Sequence, residues 1–367
     1  MTRNFVDQQV APRVIAYNRE GQLPADVIKM AIDLGLVGGV VPEAYGGSGM
    51  DYVTWAICVE EVARYCTSLA AVIGYPSSLA GRGLLRWGTE DQKRQFLMPL
   101  ARGDCFAATA ITEPDVGSDA AAMRTTARED GDAFILSGQK TWISNANICR
   151  WMLVFATTDR SKGKLGITAF LIDRETPGVE TRPIRNKLSN RISDTGEVYF
   201  HDVKVASERV LGGVGEGWAI LTASVEAGRV HVAARSVGIA QGCLELSLEY
   251  ARGRKAFGRE IGRMQLVQRL ISEMAVGTET ARMLVHRAAR ALDAESADSG
   301  YWASLAKLHA ARVAMSAAHD AVQIHGAYGI SDEYHVERHF REAKMQEIVD
   351  GTNEIQQLII ANTLMRG

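Results

Sequence analysis

The sequence predicts an α+β chain in three parts: a helical segment, a β-domain, and a bundle of long helices. Apolar residues recur at helical spacing up to about residue 105 and again beyond residue 215, while the stretch between them carries short runs of β-branched and aromatic residues. At 367 residues the chain is also longer than one hydrophobic core usually supports. Parts spanning 1–107, 108–211 and 212–367 are therefore expected.

The first part opens with a helical element from Val10 to Arg19, and Pro24-Ala25-Asp26 starts another carrying Val27, Met30, Ala31 and Leu34. A glycine-rich loop, Pro42 to Gly49, ends it; a helix from Tyr52 to Arg64 and an Ala-rich stretch through Trp87 follow. Thr89-Glu90-Asp91-Gln92 is a helix-start signature, because Thr and Gln three apart can each satisfy the other's free N–H. In the second part, Phe134 to Leu136, Trp151 to Thr157, Ile167 to Ile172 and Val198 to Val205 read as strands. No helix separates them, so an antiparallel sheet or barrel is expected. In the third part, Trp218 to Arg252 is nearly unbroken helix, Val267, Leu270, Ile271 and Met274 mark one apolar face, and Tyr301 to Ile324 is Ala-rich. Long helices with few breaks predict a four-helix bundle.

Composition narrows the function. Apolar residues make up 47% and charged residues 23%, as in an ordinary globular enzyme. A net charge of -2 lacks the basic excess that nucleic-acid binding needs. Five scattered cysteines without a C-x-x-C pair fit reduced thiols, and no signal peptide or membrane-spanning run is visible, so a cytoplasmic protein is expected. Three features read as bland: Gly213 to Gly217 as a hinge and not a dinucleotide loop, His335 and His339 as surface or packing residues and not metal ligands, and Glu60-Glu61 as a solvated face. Arg82 could meet a substrate carboxylate, but a surface salt bridge is its expected role.

Five stretches have a polar and glycine content that suits neither plain core nor plain surface. Ala110-Ile111-Thr112-Glu113-Pro114-Asp115-Val116-Gly117-Ser118-Asp119 offers hydroxyls and backbone amides to a hydrogen-bonding ligand. In Gln139 to Ala146, an indole at Trp142 can lie along a flat ring and Ser144 can bond to it. Arg252 to Gly258, with Gln265 and Gln268, forms a candidate diphosphate corner. Gln323-Ile324-His325-Gly326-Ala327-Tyr328-Gly329 is a glycine-containing turn where backbone can approach a ligand. Finally, Ile348 to Gln356 places Asp350-Gly351-Thr352-Asn353 between two helices, with Gly351 for the turn and Thr352 or Asn353 as the next cap. Alone, each reads as a loop.

As a set, T-E-P-x-x-G-S-D, K-x-W-I-S-N, R-K-x-F-G, Q-I-H-G and G-T-x-E-I-Q make the chain resemble the acyl-CoA dehydrogenase flavoproteins over almost its whole length. Gly228-Arg229 and Lys187-Leu188 point to the short-chain branch. The resemblance implies FAD between the β-domain and the last helices, and α,β-dehydrogenation of an acyl-CoA in fatty acid metabolism. Asp350 is implied as the base that removes the α-proton. Ala110, Ile111, Thr112, Gly117 and Ser118, with Trp142, Ile143 and Ser144, are implied at the flavin. Arg254, Phe257, Gln265, Gln323, Ile324, His325, Gly326 and Ala327 would meet the FAD of a neighbouring subunit, in a dimer or more usually a tetramer. Thr352 and Glu354 would complete the cofactor site, and Ser118, Glu226, Arg229 and Gly351 would meet the thioester; no metal is implied.

An electron-transfer flavoprotein is the implied electron acceptor. The same reaction on an acyl-carrier-protein thioester, a flavin oxidase of another small acid such as a nitroalkane, and a non-catalytic DNA-associated flavoprotein are the alternatives. Asp350 departs from the glutamate usual in the family and is one methylene shorter, and Gly228 leaves no substitute acid on the long helix. Burial beneath an acyl chain should raise the Asp350 pKa more than the neighbouring helix N-terminus lowers it. Ser189, Asn190 and Ala327 depart from the family pattern as well. The stretch Ile73 to Leu85 and the start of the Trp218 helix are expected to shape the acyl pocket.

Overall fold

The computed structural model describes residues 1–366. Eight helices form the first part: α1 Thr2–Phe5, α2 Val14–Glu20, α3 Ala25–Asp33, α4 Tyr52–Ala63, α5 Thr67–Gly74, α6 Leu79–Trp87, α7 Glu90–Gln92 and α8 Met98–Arg102. The element expected from Val10 to Arg19 is divided. A π-helical turn ends at Val10 and α2 begins at Val14, with Pro12, which has no N–H for the helical ladder, in the gap. The Thr89–Gln92 capping box forms in both directions, at 3.1 and 3.2 Å.

The middle part is an eight-stranded sheet of β1 Ala107–Ala110, β2 Thr126–Asp130, β3 Ala133–Ser144, β4 Trp151–Thr157, β5 Ile167–Asp173, β6 Val179–Pro183, β7 Thr195–Ala206 and β8 Val210–Leu211. Its order is β6-β7-β3-β2-β4-β5-β8, with β1 also beside β4. The sheet is mostly antiparallel, but β1 and β2 each pair with β4 in parallel. The ladder between β3 and β7 slips twice, and the slip between Lys140 and Ile143 places Trp142 in a left-handed conformation, φ 60°.

The last part holds α9 Gly217–Gly253, a small hairpin of β9 Lys255–Ala256 and β10 Arg259–Glu260, then α10 Gln265–Asp293, α11 Ser299–His325, α12 His335–Gln346 and α13 Asn353–Arg366. At 37 residues, α9 is buried over most of its length and touches α4, α5, α6, α10, α11, α12 and β5. Small residues allow this. A Cβ at Gly238 would stand 2.4 Å from the carbonyl oxygen of Glu60, and one at Gly242 would stand 2.3 Å from that of Arg64. The backbones of α9 and α4 are thus in direct contact.

This close packing overturns one expectation. Glu60 is buried, not solvated, and accepts from Arg282 Nη2 at 2.8 Å; Glu61 pairs with Arg3 and Arg64 at 3.0 Å. Arg82 is likewise no surface salt bridge. It is buried, its Nη1 donates to the Tyr52 hydroxyl at 3.2 Å, and its guanidinium lies over the Tyr52 ring. Substituting Gly238→Val should therefore lower stability by about 1–3 kcal/mol through overpacking, read as a smaller urea midpoint at unchanged slope. A midpoint equal to that of the parent protein would contradict the close contact.

Candidate active site

Asp350 stands at the corner between α12 and α13, with φ 52°, and Gly351 follows at φ 94°. Both values lie in the left-handed region, which a glycine enters freely and an aspartate does not, so the surrounding bonds must hold the turn. Lys307 on α11 donates to the Glu347 carbonyl and to Asn353 Oδ1, each at 3.1 Å. Gln356 Nε2 donates to the Gly351 carbonyl at 2.8 Å, and Asn353 N–H to the Glu347 carbonyl at 2.9 Å. Thr352 Oγ1 caps α13 by accepting from Ile355 N–H at 3.3 Å. The turn is thus clamped from two helices.

The Asp350 carboxylate rests on α9. A Cβ built on Gly228 would lie 2.7 Å from Asp350 Oδ2 and 3.3 Å from Leu79 Cδ2, so the absence of a side chain there gives the acid its seat. Leu79 belongs to the stretch expected to shape the acyl pocket. Burial raises the Asp350 pKa above the ordinary aspartate value, against the opposing pull of Arg235, Lys307 and Arg229. The direction agrees with the sequence expectation, but three side-chain cations oppose the rise. Burial also lowers Lys307, to about 8, with Asp350 and Glu347 resisting.

The flavin-type motifs meet at one end of the sheet. Lys140, fully buried, donates to Glu113 Oε1 at 2.8 Å and to the Ile111 carbonyl at 3.0 Å. Glu113 also accepts from the backbone N–H groups of Arg124 at 2.6 Å and Thr125 at 2.9 Å. Burial pushes Glu113 upward, but Lys140 and these amides outweigh it and hold its carboxyl below the usual range. Thr141 N–H donates to the Thr112 carbonyl at 2.9 Å, which locks the two motifs side by side. Ala110 and Ile143 are buried, Ile111 and Thr112 are half-buried, and Gly117, Ser118 and Ser144 are exposed. Trp142 is 61% exposed although it is an indole, and Ser144, two residues on, is exposed as well. A large exposed ring beside a free hydroxyl and backbone amides suits one face of a flat heteroaromatic cofactor.

A second group lies at the far end of the bundle. Phe257 and Gly258 turn the hairpin, at φ 51° and 80°, and Phe257 is 96% exposed. The Arg254 guanidinium lies over the Tyr328 ring at 5.8 Å, which brings the hairpin to the turn after α11. Gln265, Gln323, Gly326 and Ala327 are exposed there. Ile324 and His325 are buried: His325 bonds the Ala321 carbonyl at 2.8 Å and stacks on Tyr250, so they offer packing, with side chains turned inward.

Of the residues expected at the thioester, Gly351 and Arg229 adjoin the acid, with Arg229 Nε 3.4 Å from the Asp350 carbonyl. Glu226 is half-buried and accepts from the Ser299 hydroxyl at 3.3 Å, while Ser118 lies on the sheet side. Glu354 is exposed at the start of α13. Lys307 and Arg235 had no signal of their own in the sequence, and Lys140 and Glu113 stood within motifs without any sign that they pair. His335 and His339 are both half-buried or deeper and held neutral by burial, His335 at about 3, and no metal-ligand cluster exists among the described residues.

Comparison with known proteins agrees along the whole chain. Residues 1–104, 108–203 and 215–365 match the N-terminal, middle and C-terminal domains of acyl-CoA dehydrogenases. The mitochondrial short-chain specific acyl-CoA dehydrogenase of Bos taurus is 38% identical over 364 residues, covering 99% of this chain and 88% of that protein. The CarC subunit of the caffeyl-CoA reductase-Etf complex of Acetobacterium woodii is 36% identical, over 100% of this chain and 97% of that one. The solved structure of butyryl-CoA dehydrogenase from Megasphaera elsdenii has a TM-score of 0.96 at 36% identity, covering 100% of this chain and 96% of that one.

A methyl group at position 228 would displace the acid without displacing backbone. Gly228→Ala should leave the unfolding midpoint within about 2 °C of the parent value while lowering turnover about 100-fold, since an ångström of misplacement costs that much. Full turnover in this variant would show that the acid's seat is irrelevant.

Proposed function

The chain belongs to the acyl-CoA dehydrogenase family, and from that premise we propose that Asp350 is the base in its FAD-dependent α,β-dehydrogenation of an acyl-CoA thioester. One observation carries the assignment: a desolvated carboxylate, its pKa raised, seated on Gly228 in a clamped left-handed turn. A base that works near neutral pH needs a pKa above that of a free aspartate, and burial supplies the rise. The α-proton of a thioester is weakly acidic, so its removal requires donors for the developing enolate oxygen. Among the described residues the Asp350 backbone N–H donates to no carbonyl, and it can take that part. Arg235, Lys307 and Arg229 pull against that rise without reversing it.

The residues fit FAD, which when bound supplies the acceptor for the β-hydrogen as hydride. Ala110, Ile111, Thr112, Gly117, Ser118, Trp142, Ile143 and Ser144 would line its ring side, and Thr352 and Glu354 would close the site near Asp350. Arg254, Phe257 and Gln265, with the turn from Gln323 to Ala327, sit on another surface and would reach the cofactor of a second copy, in a dimer or tetramer. Exposed Phe257, Leu266 and Ile330, each over 75% accessible, support such a covered face. Ser118, Glu226, Arg229 and Gly351 would contact the thioester. An electron-transfer flavoprotein is the expected acceptor, in keeping with the name of the CarC relative. Among the described residues no helix is long and apolar enough to cross a membrane, and the cytoplasm is the proposed compartment.

Mixing the protein anaerobically with acyl-CoAs should bleach its flavin, and Asp350→Asn should slow this by about 10³-fold, within the range for loss of a general base. Because the acid must be ionised to accept a proton, the rate should rise with pH through a pKa above the free-aspartate value of about 3.9. Lys307→Met removes an opposing cation and should move that limb to still higher pH. A pH-independent rate, or Asp350→Asn bleaching at the parent rate, would exclude Asp350 as the base. Arg254→Glu should lower the retained FAD and the oligomer mass together in light scattering; retained FAD in an intact oligomer would contradict a shared site.

A further inference from the structure

The α9 face that seats Asp350 carries a second polar group that the reaction leaves unused. Arg235 follows Gly228 by seven residues, a separation that returns to the same helix face about 10 Å further along. Side chains on a helix tilt toward its N-terminus, so the long Arg235 side chain runs back toward Asp350. It is the charge that acts most strongly on that acid. Arg235 is only 5% exposed, yet its Nε and Nη2 are buried without an acceptor among the described residues.

Arg64 and Arg282 are paired with carboxylates, whereas buried Arg82 and Arg338 each share with Arg235 an Nε that has no acceptor among the described residues. Arg64 meets Asp7, Glu61 and Glu245 at 2.7–3.1 Å, and Arg282 meets Glu60 at 2.8 Å. The carboxylate that acts most on Arg235 is Glu342, whose oxygens accept from the Thr67 hydroxyl at 2.7 Å and the Asn190 N–H at 2.9 Å. His231, one turn before Arg235, is held neutral at about 3 and adds no charge. Of the three cations around Asp350, Arg229 and Lys307 each reach a backbone carbonyl, while Arg235 Nε and Nη2 reach no acceptor among the described residues, and a buried guanidinium without a partner is costly.

We propose that Arg235 is the specificity-determining residue at the far end of the acyl pocket, and that the preferred acyl group ends in a carboxylate received by its guanidinium. A guanidinium without a partner favours a carboxylate over a hydroxyl or a hydrocarbon end, and its fork matches two carboxylate oxygens. Gly228 and Arg235 then mark the two ends of the acyl group on one helix face: the α-carbon lies at the acid and the distal carboxylate at the arginine. This inference rests on the acyl-CoA reading of the Asp350 site.

The test compares succinyl-, glutaryl- and adipyl-CoA with butyryl-, pentanoyl- and hexanoyl-CoA on the FAD-loaded protein. Anaerobic flavin bleaching reports reaction. Calorimetry in Asp350→Asn, which binds without turnover, reports affinity. At least one carboxylate-ended thioester should bleach the flavin 10-fold or more faster than its hydrocarbon counterpart, and bind 10- to 100-fold tighter, the usual range for a charge-assisted bond. Arg235→Gln should erase that preference, in both assays, while Arg235→Lys should retain part of it. Equal or faster bleaching by the hydrocarbon thioesters, or a preference unmoved in Arg235→Gln, would overturn the proposal alone. Bleaching by none of the six would overturn the acyl-CoA reading and the proposal with it.

Discussion

Asp350 occupies its position because Gly228 has no side chain. The carboxylate lies within contact of the space a Cβ would fill, so acid and helix backbone share one surface. Aspartate is a methylene shorter than glutamate and loses reach. The left-handed turn at Asp350 and Gly351, held by Lys307 and Gln356, brings the whole backbone segment against α9. Reach is thus set by the main chain, and a main-chain turn clamped from two helices is stiffer than a side chain with free rotamers.

The same helix organises the remainder. It joins α4 through Gly238 and Gly242, and it lies against both the acid and β5 of the sheet. On the sheet side, the buried Lys140–Glu113 pair has a complementary role. A buried ion pair adds little net stability, but removing one partner leaves an uncompensated charge, so β3 and the loop after β1 that it ties are fixed relative to each other. Trp142 and Thr112 are therefore presented together. The acid on the bundle side and the exposed Trp142 face on the sheet side each rest on a buried, specific contact.

Much of this was legible in the sequence. The three-part order, the long α9, the strands from Trp151 and Ile167, and the acid at a helix break all follow from periodicity and turn chemistry. What escaped depends on long-range contacts. Ala107–Ala110 is made of small residues and becomes a strand only beside β4; Thr126–Asp130 ends in the charged run Arg128-Glu129-Asp130 and becomes one beside β3. Glu60 looked solvated because its partner Arg282 lies 222 positions away. Arg235 sits in a run of helix formers, and nothing local shows that its guanidinium is buried without an acceptor. Pro12 is the exception: its local effect was visible, but the apolar spacing across it masked the break.

The most direct test of the central claim isolates proton removal from flavin reduction. An acyl-CoA without β-hydrogens, held in D2O with the FAD-loaded protein, can exchange its α-hydrogen but cannot be oxidised. Proton NMR of the α-position follows the exchange. If Asp350 is the base, the parent protein exchanges this hydrogen and Asp350→Asn does not, with the flavin band unchanged in both. Exchange at an equal rate in Asp350→Asn would mean that another group removes the proton.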